Sequence, residues 1–149
     1  MLYNDAAIQD YHDLFNSAEN EVSILTGKYD TEYADEFIIA ASDFSSRQGT
    51  TLRIACQCGK SMLKCHIIKS IINNPERKGD VFLYDAHEFK NEPYFILADE
   101  SAYRLEIPEA AETIIDYDDK VELNRLNGQF HQVLSISTML KYPQLSQAS

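Results

Sequence analysis

From Glu92 to Ile107 the chain reads Glu-Pro-Tyr-Phe-Ile-Leu-Ala-Asp-Glu-Ser-Ala-Tyr-Arg-Leu-Glu-Ile, and this stretch constrains the fold more than any other. Tyr94 to Ala98 and Tyr103 to Ile107 are runs of strand-forming residues around a polar turn at Asp99, Glu100 and Ser101, the sequence form of a β-hairpin. Phe95, Ile96, Leu97 and Ala98 are apolar without a break, so both faces of that strand need cover. The hairpin belongs inside a sheet, and the remaining chain has to supply the strands beside it and the helices above and below.

Ahead of the hairpin, helical and extended patterns alternate. Ile8, Tyr11 and Phe15 space a helix from Ala6 to Phe15. Glu21 to Thr26 reads as a strand closed by Gly27, and Phe37, Ile38, Ala41 and Phe44 give helical spacing from Tyr33 to Ser46, with Gly49 as a stop. Leu52 to Cys58 is a second strand with Leu52, Ile54, Cys56 and Cys58 on one face. Leu63, Ile67, Ile68, Ile71 and Ile72 stripe a helix from Ser61 to Asn74, which Pro75 ends. Asp80 to Tyr84 is a third strand. Beyond the hairpin, Thr113 to Tyr117 reads as a strand and Lys120 to about Ser137 as a closing helix carrying Val121, Leu126, Phe130, Val133 and Leu134. Strand, helix, strand, helix, strand implies right-handed crossovers and a parallel core, to which the late hairpin adds antiparallel partners. The expected class is α/β: a mixed, largely parallel sheet flanked by helices. It forms one domain over 1–149, with 1–20 as an N-terminal helical extension and 139–149 as a loose tail.

A chain of 149 residues has the length of one domain, enough to bury about two-thirds of its unfolded surface and to fold without a disulfide or a metal. No apolar run reaches the roughly 20 residues of a membrane span, and the first residues lack the basic-then-apolar order of a secretion signal, so the expected location is the cytoplasm. The net charge of -11 works against nucleic acid and anionic lipid, both of which are bound by neutralising phosphate. Neither a nucleic-acid partner nor a membrane is expected. The charge is nonetheless uneven, with Lys60, Lys64 and Lys69 around one predicted helix and acids crowded from Asp116 to Glu122. Three cysteines in a reducing compartment are expected to be free thiols.

An apolar strand ending in Ala98-Asp99, a turn, and then Tyr103-Arg104-Leu105-Glu106 resembles one half of the phospholipase D-like fold. With His66 on a helix ahead of the strand Tyr94 to Asp99, the order over Glu21 to Leu134 is similar to a group of bacterial phospholipase D-like domains of unknown function. The resemblance implies a half-domain that pairs with a second half, within one chain or as a dimer. Active members of the superfamily carry His-x-Lys-x-x-x-x-Asp, in which His attacks phosphorus and Lys steadies the phosphate charge. Set on Asp99, that pattern puts Glu92 at the His position and Tyr94 at the Lys position, so only the acid matches. A carboxylate repels the phosphate and a phenol brings no positive charge. A register on His87, with Phe89 and Tyr94 at the other two positions, fails as well. The resemblance therefore implies a domain without phosphodiesterase chemistry.

Other residues of reactive or ligating types have plainer roles. Cys56, Cys58, Cys65 and His66 are of metal-binding types, but Cys-x-Cys-x6-Cys-His is no zinc spacing, and neighbouring helical residues point about 100° apart. Burial explains these cysteines better, and no metal or other cofactor is expected. Cys58-Gly59-Lys60-Ser61 lies between a strand and a helix as a phosphate loop would, with Lys60 and Ser61 as anion ligands. Ile54 stands where the first glycine of such a loop is required, which favours Ser61 as a helix N-cap. His12 and His131 have no companion nucleophile. Asp116, Asp118, Asp119 and Glu122 bracket a helix start, where acids are stabilised by the dipole.

Three functions follow as expectations. The first is a non-catalytic phospholipase D-like domain that binds a protein partner or itself. The second is an enzyme or small-ligand protein with a site at the strand ends built from Cys58, Lys60, His66 and Asp99, since parallel sheets place ligands at the carboxyl ends of their strands. The third is an acidic interaction protein that occupies a basic surface.

Overall fold

A computed structural model describes residues 12–26, 34–57, 63, 65–88, 94–99, 101–107 and 112–140. In chain order the elements are α1 (12–17), β1 (Glu21–Thr26), α2 (Ala34–Ser45), β2 (Thr51–Cys56), α3 (His66–Ile72) and β3 (Asp80–Asp85). There follow β4 (Tyr94–Ala98), β5 (Ala102–Ile107), β6 (Glu112–Asp116), α4 (Lys120–Ile136) and β7 (Thr138–Leu140). The strands form one sheet in the order β6-β5-β4-β1-β2-β3-β7. Strands β1, β2 and β3 run parallel, and β4, β5, β6 and β7 join them through antiparallel ladders. The protein is thus a mixed α/β domain with helices on both sheet faces.

The unbroken apolar run of β4 has the consequence its composition requires. It lies inside the sheet between β1 and β5, and Phe95 and Leu97 face one side while Ile96 and Ala98 face the other. On the second side, α1, α2 and α3 close a core built on Val22, Ile24, Leu52, Ile54, Val81 and Leu83. On the first side, α4 supplies the cover among the described helices: Leu123, Leu126, Phe130 and Val133 pack with Leu25, Phe95, Leu97, Tyr103 and Leu105, and the Phe95 and Phe130 rings meet edge-on at 6.3 Å.

Several boundaries differ from the sequence reading, each for a physical reason. The N-terminal helix is no extension within its described part. Leu14, Phe15 and Ala18 are fully buried, and the Phe15 ring meets Phe37 and Phe44 at 5.8 and 6.2 Å. At α3 the N-cap position is Cys65, in extended backbone with φ -73° and ψ 129°, so the helix begins at His66 rather than at Ser61. Of the tail expected from 139, Met139 and Leu140 belong to β7, which pairs with Leu83 to Asp85, and the rest lies outside the described residues. At three residues, β7 is too short to show a period of two in sequence. The free-thiol expectation holds for Cys65, whereas Cys56 is in a disulfide, against the expectation drawn from a reducing compartment.

Candidate functional site

The parallel register aligns the last residues of the central strands. Thr26, Cys56 and Asp85 are direct neighbours across β1, β2 and β3, and Thr138 of β7 adjoins Asp85. Leu25 faces Phe95 in the antiparallel ladder, so Tyr94, one residue earlier in β4, falls beside Thr26 and extends the same row. Side chains of this row emerge on the face covered by α2 and α3, since Cys56 belongs to that core. The backbone continues past the strands without fraying: Thr26 accepts from the Gln57 N–H at 2.9 Å, and Cys56 from the Ala86 N–H at 2.9 Å.

One polar pair stands out in this row. The Asp85 side chain is only 9% exposed, and its Oδ1 accepts from the His87 backbone N–H at 3.1 Å and lies 2.7 Å from His87 Nδ1. With Asp85 as a carboxylate, Nδ1 is the donor of this contact. The His87 ring is 61% exposed, and its Nε2 is 3.9 Å from Glu88 Oε1. Nearby in the chain, Gln57 Nε2 is buried with no hydrogen-bond partner among the described residues.

The residues singled out in sequence do not gather at this end. Cys58, Lys60, Ser61 and Glu92 lie outside the described residues. His66 opens α3 and is exposed, because Ile67, Ile68, Ile71 and Ile72 take the buried side. Tyr94 is half-buried at the carboxyl end. Asp99 is at the opposite end, next to Ala98, which pairs with Val22 near the start of β1. Five strand steps put it about 17 Å from Tyr94, too far to share a site with His66 and the strand ends. There Asp99 acts as a clamp: Oδ2 accepts from the Glu19 N–H at 2.8 Å, and Oδ1 from the N–H groups of Asn20 and Glu21 at 3.0 and 2.8 Å. Its own N–H reaches Glu21 O at 2.8 Å, and its φ of 53° lies in the left-handed region.

The acidic stretch before α4 serves the helix start. Asp119 is the N-cap and accepts from the Glu122 N–H at 3.1 Å. Asp116 accepts from the N–H groups of Asp118 and Asp119 at 2.7 and 2.8 Å, and these bonds hold its carboxyl below the ordinary range. Burial, reinforced by the charges of Asp119, Asp116 and Glu122, raises the Tyr103 phenol above its ordinary value. Among the described residues no three His, Cys, Asp or Glu side chains converge on one point as a metal would require. Sequence reasoning tried His87 only as a motif nucleophile and passed over its partner. The available signal was an acid at the last position of an apolar strand with a His two residues on.

The domain so defined is an α/β sheet whose carboxyl-end row is polar and whose amino end is locked by Asp99. The sequence matches no protein-family model and no curated protein. Solved structures do resemble it. NucT from Helicobacter pylori aligns with a TM-score of 0.58 at 13% identity, over 91% of each chain. TrmBL2, an archaeal chromatin protein whose structure shows a novel mode of DNA binding, aligns with a TM-score of 0.56 at 16% identity. That alignment covers 93% of the present chain and 47% of TrmBL2, so the chain spans about half of that relative's length. At these identities the likeness is one of fold. Among the described residues, no helix is long and apolar enough to cross a membrane.

Proposed function

We propose that the chain is a phospholipase D-like half-domain that acts without phosphodiester chemistry, through association with a second copy of itself. The observation that carries this reading is the employment of Asp99. It is the one residue that fits the superfamily pattern, and three backbone N–H groups occupy its two oxygens at the sheet end remote from Tyr94. The described members of the carboxyl-end row, Tyr94, Thr26, Cys56, Asp85 and Thr138, include no cation to steady a phosphate.

Self-association is supported by the distribution of apolar surface. Met139 and Ile136 are 52% and 50% exposed, and Met139 is paired with Tyr84 on the α4 side of the sheet. Met139 lies in the edge strand β7 and Ile136 ends α4 three residues before it, and a two-fold contact there would use the same residues on both subunits. The test is the mass of the purified protein by sedimentation over a range of concentrations, with the expected result a dimer. A monomer at every concentration overturns self-association. The same sample titrated with duplex DNA at low salt tests the rival that TrmBL2 raises. The net charge of -11 favours no binding, and tight, salt-sensitive binding would replace the present reading with a nucleic-acid one.

A further inference from the structure

We draw no further inference here: the strongest candidate, the disulfide of the fully buried Cys56 at the carboxyl end of β2, carries nothing because, with Cys65 free, no described residue shows what that bond closes on or what it would switch.

Discussion

Asp99 shows how one residue can satisfy a family pattern and do something else. Its left-handed φ of 53° is a conformation that Gly, Asn and Asp tolerate best, and its carboxylate gathers three N–H groups of the segment entering β1. Substitution separates the two contributions. Asp99→Asn keeps the conformation and an acceptor and is expected to cost the least. Asp99→Gly keeps the conformation but removes every side-chain bond, for roughly 2–3 kcal/mol on the scale of bonds to a charged group. Asp99→Ala adds backbone strain of about 1 kcal/mol and is expected to be the worst. Urea unfolding of the three variants checks the order, and a Gly variant as stable as wild type would show that the clamp is not a source of stability.

At the scale of elements, two junctions hold the sheet to its helices, and each can be tested. A Cβ at Gly79 would stand 2.1 Å from Thr50 Oγ1 and 2.8 Å from Thr50 O, where β3 enters against the α2–β2 loop. The N–H groups of Lys78 and Gly79 both reach Ser45 O there, and that of Asp80 reaches Thr50 O. The loop cannot retreat without breaking those bonds, so Gly79→Ala is expected to cost about 1–3 kcal/mol, read from the thermal midpoint. The other junction is the turn into α4. The Asp116 carboxyl is held below its ordinary 3.8 by the N–H groups of Asp118 and Asp119. A lowered folded value means that its contribution is complete above pH 3.8 and is lost as pH falls through the folded value. Wild type and Asp116→Asn are therefore expected to differ in urea midpoint at about pH 6 and to converge at about pH 2. The strand and helix patterns behind these elements were legible, because β4 needs cover on both faces and α4 repeats its apolar positions at Leu126, Phe130 and Val133. β7 was not, since its three residues become a strand only through pairing with β3. Nor was the Asp85–His87 pair, whose meaning depends on Asp85 being buried at a strand end.

Among the described residues the molecule is asymmetric about its sheet. Three helices close one face, whereas α4 on the other packs with residues drawn chiefly from β1, β4 and β5. On that second face the β2–β3–β7 side presents Arg53, Phe82, Tyr84 and Met139 in adjoining registers. Of these Arg53 is paired with Glu21 at 2.9 Å, and Phe82 and Tyr84 are half-buried. Under the proposed self-association, a second copy placing the same sector face to face would cover it without a new kind of surface. Met139 is half exposed at the edge of this sector, so its replacement by Lys introduces a charge there while leaving the core untouched. Met139→Lys is expected to melt with the wild-type monomer but to dissociate at least tenfold more readily, about 1.4 kcal/mol in association. Asp99→Asn, at a distant turn, is expected to lower stability and leave the monomer–dimer equilibrium where it was. Sedimentation of both variants separates the alternatives: if Met139→Lys associates as wild type does, the contact is elsewhere on the molecule and the open sector of the sheet has another use.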